Sequence, residues 1–517
     1  MINQPSDEQS AAGSAIDGAA ALDDPPRLST GNAGLDHILG GGLDANRLYL
    51  LEGTPGTGKT TLALQFLLEG ARGGETTLYV SLSETERELR LVARRHGWSL
   101  DGVSLFELVP AEAALDPERE QSVFPPSEME LGETTRMIFE RVAALNPTRI
   151  AFDSLSELRL LAQSPLRYRR QILALKHFFA DRHCTVLVLD DLSSEADDVQ
   201  LHSIVHGVIR LEQTAIDYGA ERRRLRVVKM RGIDFRGGFH DFSIRTGGLE
   251  IYPRLVAAEH HRAAEGSIFA GSGNPALDDM LGGGLERGTN ALLLGAAGAG
   301  KSSLALTYAI AAADRGERAV IFAFDEGRGT IEARARTLGL ALDGAVEAGL
   351  LRIQQIDPAE LSPGEFASIV RRAVEVDRAR VVVIDSLNGY LSAMPDERFL
   401  LLQMHELLTY LGQMGALTIL VLAQHGMVGP LQSPIDLSYL SDAVLLLRYF
   451  EFEGEVRRAL SIVKKRSGHH EHSIREFRLS EGGIAVGPPL RDFRGVFSGT
   501  PSYTGPALPG LDGDGSE

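Results

Sequence analysis

One pattern, Gly53-Thr54-Pro55-Gly56-Thr57-Gly58-Lys59-Thr60, recurs as Gly295-Ala296-Ala297-Gly298-Ala299-Gly300-Lys301-Ser302. Two glycines flank four residues, and Lys and a hydroxyl residue follow, which is the pattern of a phosphate-binding loop. Such a loop needs a strand before it and a helix after it, because the helix's first N–H groups face the phosphates. Glycine permits the close main-chain approach and the positive φ. Lys59 and Lys301 are expected to reach the β- and γ-phosphates, and Thr60 and Ser302 to hold Mg²⁺. Thr61 and Ser303 complete the two binding runs.

The repetition extends beyond the loops. Leu35-Asp36-His37-Ile38-Leu39-Gly40-Gly41-Gly42-Leu43 returns as Leu277-Asp278-Asp279-Met280-Leu281-Gly282-Gly283-Gly284-Leu285. Leu35 and Leu277 stand 242 positions apart, as do Lys59 and Lys301. Two landmarks at one spacing predict a duplicated domain. In each copy an apolar strand (47–51 or 290–294) enters the loop, and a helix (60–70 or 302–313) leaves it. A second strand (77–82 or 319–324) comes next, and later strands end at Asp153 and Asp385. Strands alternating with helices predict an α/β fold: a mainly parallel sheet with helices on both faces, built twice in tandem.

A chain of 517 residues is long enough for two such domains and tails. Residues 1–26 read as a disordered arm, 27–256 as the first domain, 257–266 as a polar linker, 267–490 as the second domain, and the Gly, Pro and Ser-rich 491–517 as a flexible tail. His260 and His261 in the linker have no supporting ligands and give no metal site. The net charge of −18 speaks against a surface built to bind nucleic-acid backbones. Cys184 is the single cysteine, which excludes disulfide frameworks and fits a core residue in a reducing cytoplasm. No signal peptide or membrane-spanning run is read, so the expected location is cytoplasmic.

Asp153 and Asp385 each end an apolar strand, where a carboxylate reaches the coordination shell of Mg²⁺. Asp also caps helices, but the position downstream of a phosphate loop in both repeats favours the metal reading. After the second strand, Leu82-Ser83-Glu84-Thr85 in copy one matches Phe324-Asp325-Glu326-Gly327 in copy two. Glu84, Asp325 and Glu326 are candidates for the base that hydrolysis requires.

Taken together, the tandem loops, the Gly-Gly-Gly-Leu lead-in, the acidic residues, the Asp-Ser-Leu runs, Ile384-Asp385-Ser386-Leu387-Asn388-Gly389-Tyr390 and Ile474-Arg475-Glu476-Phe477 resemble the KaiC family over about 27–488. That resemblance implies two RecA-like ATP-binding domains, Mg²⁺, a stacked homo-hexameric ring with ATP at subunit interfaces, and a regulatory or signalling protein partner. It implies ATP hydrolysis, serine or threonine autophosphorylation in the second half, and conformational signalling. The family has two adjacent glutamates where this chain has Ser83-Glu84 and Asp325-Glu326, so copy one lacks the first carboxylate and is expected to serve assembly more than chemistry.

The resemblance also implies that Lys229 and Arg231, and Lys464 and Arg466, reach the nucleotide of a neighbouring subunit, with His470 beside ATP; copy one has Phe235 in the place of His470. A cation supplied in trans stabilises charge that develops on the phosphoryl group. The phosphoacceptor pair falls on Ser438 and Tyr439, leaving Ser438 as the candidate nucleophile and Asp325 or Glu326 as its base. Gln424, at the end of the strand 417–422, reads as a γ-phosphate sensor or as a simple turn, with Asp190-Asp191 at a similar place in copy one. The competing function is a RecA- or RadA-like DNA-dependent ATPase in recombination or repair, which the acidic balance and the absence of a cysteine zinc module disfavour. The single Trp98 offers no stacking platform for bases.

Overall fold

A computed structural model describes residues 25–108, 126–192, 201–215, 219–260, 268–392, 397–424 and 438–505. The chain divides into two compact units. The first takes in described residues up to Glu212 with Leu225–Gly238 and Ser243–Ile251, and the second takes in Gln213–Arg224, Phe239–Phe242 and everything from Tyr252.

In the first unit a short ladder, β1 (Arg27–Leu28) on β2 (Leu43–Asp44), frames the glycine run. The strands of the large sheet are β3 (Leu48–Gly53), β4 (Thr77–Ser81), β5 (Val103–Glu107), β6 (Arg149–Asp153), β7 (Thr185–Asp191), β8 (Gly207–Thr214), β9 (Arg222–Met230), β10 (His240–Arg245) and β11 (Gly248–Tyr252). Their order is β11-β10-β9-β8-β3-β7-β6-β4-β5. All pairs from β8 through β5 are parallel. The strands β3, β4 and β6 are buried on both faces, which explains their unbroken apolar runs.

The second unit repeats the plan. A ladder of β12 (Phe269–Ala270) on β13 (Leu285–Glu286) precedes β14 (Asn290–Gly295), β15 (Arg318–Ala323), β16 (Leu351–Gln355), β17 (Ala379–Asp385), β18 (Leu417–Ala423), β19 (Ala443–Phe452), β20 (Glu455–Lys465), β21 (Arg475–Ser480) and β22 (Gly483–Pro489). The order is β16-β15-β17-β18-β14-β19-β20-β21-β22, parallel as far as β19 and antiparallel beyond it. Alternate residues of β14 face opposite cores: Ala291 and Leu293 pack with the helix Lys301–Asp314, whereas Leu292 packs with the helices Pro363–Glu375 and Glu397–Gln413. The expected class, two tandem RecA-like α/β domains with helices on both sheet faces, is the observed architecture.

Two segments differ from their sequence-based reading. Ala257–Glu259, read as linker, forms a turn of 3-10 helix with Ala257 buried and His260 edge-on to Tyr410; residues 261–267 lie outside the described residues. The tail is also structured through residue 505: β23 (Phe493–Arg494) pairs with β24 (Ser502–Tyr503). Phe493 packs on Phe450 and Phe452 of β19, and Tyr503 on Phe452, with Val496 buried beneath. These apolar rings outweigh the Gly and Pro content that suggested flexibility. Residues 1–24 and 506–517 lie outside the described residues.

Candidate active sites

Each phosphate loop joins the end of a central strand to the start of a helix whose first residue is the loop lysine, Lys59 or Lys301. Gly58 and Gly300 precede these helices with φ of 99° and 104°, a left-handed geometry that favours glycine. A Cβ at Gly58 would meet Ile244 at 2.8 Å, and one at Gly300 would meet Phe477 at 2.8 Å. The two loops therefore curl over equivalent apolar supports. Lys59 donates to the carbonyls of Gly53 (2.8 Å) and Thr54 (3.1 Å), and Lys301 donates to that of Ala296 (2.7 Å).

The strand-end carboxylates stand where the sequence places them. Thr60 Oγ1 lies 3.3 Å from Asp153 Oδ2, and Ser302 Oγ lies 3.1 Å from Asp385 Oδ1. The peptide after each Asp is cis. Burial pushes the Asp153 carboxyl up, and burial likewise raises that of Asp385 to about 6. A hydroxyl and a carboxylate are hard oxygen donors and fit Mg²⁺, with phosphate and water supplying the rest of its shell. Among the described residues, no group of three or more His, Cys, Asp or Glu side chains is placed to hold a metal by itself.

The two copies differ in the residues that flank these groups. Glu84 is half-buried after β4, and its Oε2 has no hydrogen-bond partner among the described residues. Desolvation, reinforced by Asp153 and Glu88, raises its carboxyl to about 7. The matching Glu326 is instead ion-paired with Arg334, and Asp325 accepts from the Ser386 hydroxyl. Of the three candidate bases, Glu84 is the one without a side-chain partner among the described residues, while Asp325 and Glu326 are engaged.

Strand register also revises one comparison. Gly53 pairs with Asp191, and Gly295 with Ala423. The amide of Leu192 donates to Gly53 O at 3.4 Å, as that of Gln424 does to Gly295 O at 2.9 Å. The counterpart of Gln424 is thus Leu192, rather than Asp190 or Asp191. Asp190 is taken up by Arg159 and by Ser156, while Asp191 pairs with Lys59 at 2.8 Å. The Gln424 Oε1 is buried with no hydrogen-bond partner among the described residues, an acceptor held at the end of β18 beside the loop.

The basic residues lie elsewhere. Lys464 donates to the carbonyls of Ser438 (2.7 Å) and Ser441 (2.8 Å), and Arg466 pairs with Asp442 at 3.1 Å. The Asp442 amide bonds Asn290 O, at the start of β14. The phosphate loop leaves the other end of that strand, about 16 Å away at roughly 3.3 Å per residue. Ser438 shares this far end, so neither Asp325 nor Glu326 of the same domain is brought to it. In the first unit, Lys229 donates to the carbonyls of His202 and Val205 and Arg231 to that of Ser203. The Arg231 amide bonds His206 O, and His206 N bonds Leu48 O, again at the start of the loop-bearing strand. His470 lies beside His472, with ring centroids 4.6 Å apart.

Sequence reasoning missed Tyr79 and Arg334, gave Asn388 only as part of a motif, and gave Asp191 only as a residue near the sensor position. The Tyr79 hydroxyl donates to Asp153, and the Asn388 amide brackets Ala423 by donating to its carbonyl and accepting from its N–H. Cys184 is the expected core residue: burial raises its thiol to about 11, and its Sγ lies 2.9 Å from Pro147 O.

Comparison with known proteins gives a consistent picture. The family model described as "ATPase: KaiC" matches residues 28–256 and 270–491. The "Circadian clock oscillator protein KaiC" of a Picosynechococcus strain is 27% identical over 482 residues, covering 91% of each chain. The "Circadian clock protein KaiC3" of a Synechocystis strain is 26% identical over 488 residues, 92% of this chain and 95% of the relative. The KaiC of a Synechococcus elongatus strain is 26% identical over 486 residues, 92% of each.

Proposed function

The chain belongs to the KaiC ATPase family, and from that premise we propose that it hydrolyses Mg²⁺-ATP at two loops, each completed by a neighbouring copy of the same chain. The observation that supports completion in trans is the separation within each sheet. The cations Lys229, Arg231, Lys464 and Arg466 sit at the start of the central strands, whereas the loops sit at their ends. Cations so placed serve a phosphate only across an interface, and a homo-hexameric ring provides one at every loop.

In each site the loop amides and Lys59 or Lys301 bind the phosphates. Mg²⁺, held through Thr60 and Asp153 or Ser302 and Asp385, would neutralise charge on the phosphate oxygens. Glu84 accepts a proton from the attacking water in the first site; Glu326, once released from Arg334, does so in the second. Ser438 is proposed as an autophosphorylation acceptor for a neighbour's second loop, since its turn carries Lys464 to the same interface. Turnover then drives conformational signalling to a protein partner. The location is proposed as cytoplasmic, in keeping with the buried thiol of Cys184; among the described residues no helix is long and apolar enough to cross a membrane. The DNA-dependent ATPase alternative gains no support from the family match or the relatives.

A mixing experiment tests the central claim. Lys301→Ala copies lack a working second loop, and Lys464→Ala/Arg466→Ala copies lack the second domain's donated cations. Each variant alone should lose second-site turnover, and a mixture should regain part of it. Native mass spectrometry of the same mixture reports ring size. No recovery in confirmed mixed rings would overturn completion in trans.

A further inference from the structure

The first loop has an acidic residue at a register position where the second has alanine. Asp191 ends β7 directly opposite Gly53, and its Oδ1 lies 2.8 Å from Lys59 Nζ. At the matching point of the second unit stands Ala423, opposite Gly295. We propose that Asp191 is a specificity-determining residue that biases the first loop towards a nucleoside diphosphate and against a triphosphate. This rests on the reading of that loop as a nucleotide site.

The argument is one of charge placement. The loop lysine is the group that reaches the outer phosphates. Asp191 already holds that ammonium, so an incoming phosphate competes with a carboxylate for it. Asp191 thus stands beside the loop at the lysine that the outer phosphates would engage. Each further phosphate adds negative charge next to it, and like charges at such range repel strongly when partly buried. A diphosphate stops short of the most crowded position. The second loop shows the contrast: Ala423 stands opposite Gly295, and Lys301 donates to the carbonyl of Ala296.

The test uses the full chain with Lys301→Ala, which confines nucleotide to the first loop. Affinities for ADP and for a non-hydrolysable ATP analogue are measured with Mg²⁺ by equilibrium titration. Asp191→Asn should strengthen triphosphate binding relative to diphosphate by about tenfold, with the gain shrinking at high salt. Asp191→Glu, which keeps the charge, should retain most of the parent's preference. An equal gain for both nucleotides would make Asp191 a mere counter-ion of Lys59 and overturn the proposal. Weaker triphosphate binding in Asp191→Asn would make it a metal-side helper and overturn it too. A Lys59→Ala control that binds both nucleotides as the parent does would overturn the underlying reading of the loop itself, and the inference with it.

Discussion

The Tyr79 hydroxyl donates to the same Asp153 carboxylate oxygen that accepts from Thr60. Tyr79 lies two residues before Ser81, which pairs with Asp153; Ile321 holds the matching position two before Ala323, which pairs with Asp385. The first site therefore holds its strand-end acid with a tyrosine and a threonine hydroxyl, whereas Asp385 accepts from Ser302.

Removing that hydroxyl should be felt in two ways. Tyr79→Phe takes a buried hydrogen bond from a carboxylate and should cost about 1–3 kcal/mol in denaturant unfolding. The bond favours the ionised acid, so its loss pushes the Asp153 carboxyl further up. The Mg²⁺ needed for nucleotide binding at the first loop should then rise, more at mildly acidic than at mildly alkaline pH. A magnesium titration in the Lys301→Ala chain checks this; an unchanged requirement would reduce Tyr79 to packing.

With Glu84 as the proposed base, first-site turnover should depend on pH. Only its ionised form accepts a proton, and its carboxyl stands at about 7. In the Lys301→Ala chain, turnover should fall roughly tenfold per pH unit below that value and level off above it. Glu84→Gln should lose a factor of about 10²–10⁴ at neutral pH. Stability should respond in the opposite sense. The unfolded chain releases this proton near 4.5, whereas the fold keeps it to about 7, so ionising Glu84 destabilises the fold as pH rises through that window. Glu84→Gln should therefore unfold at a higher temperature than the parent above neutrality.

Arg149 ties three segments of the first unit together. It is 3% exposed, forks onto Glu75 at 2.7 and 2.9 Å, and donates to the carbonyls of Ser29 (2.7 Å) and Phe66 (3.1 Å). Arg149→Ala should cost about 3–5 kcal/mol, because it strands those acceptors. Arg149 holds the Glu75 carboxyl below its ordinary 4.5. The pair's contribution is therefore complete above that value and lost as pH falls through the lowered one. The gap between parent and variant in urea titrations should narrow on the acid side, and stay open for the bonds to Ser29 and Phe66.

The parts of the sites that the sequence showed were local ones. Gly53–Thr60 and Gly295–Ser302 carry their meaning in consecutive residues, and Asp153 and Asp385 close apolar runs whose ends are visible. What escaped depends on register between distant segments. Asp191 meets Lys59 only because β7 lies beside β3, and nothing near either residue announces the pairing. Tyr79 inside an apolar strand reads as core, and its hydroxyl gains a role only through β6. Arg334 is one of several arginines on its helix, and only the folded turn selects it for Glu326. Phe493 and Tyr503 were hidden by the Gly and Pro around them.

The hairpin of β23 and β24 bears on how the protein can be cut and handled. A truncation placed at Arg491, where composition turns loop-like, would remove Phe493, Val496 and Tyr503 together. Phe450 and Phe452 would then lose their cover on β19. Such a shortened chain would present fresh apolar rings on the strand next to the loop-bearing β14, inviting precipitation that could be mistaken for failed ring assembly. A boundary beyond residue 505 keeps the rings covered, and an affinity tag belongs there.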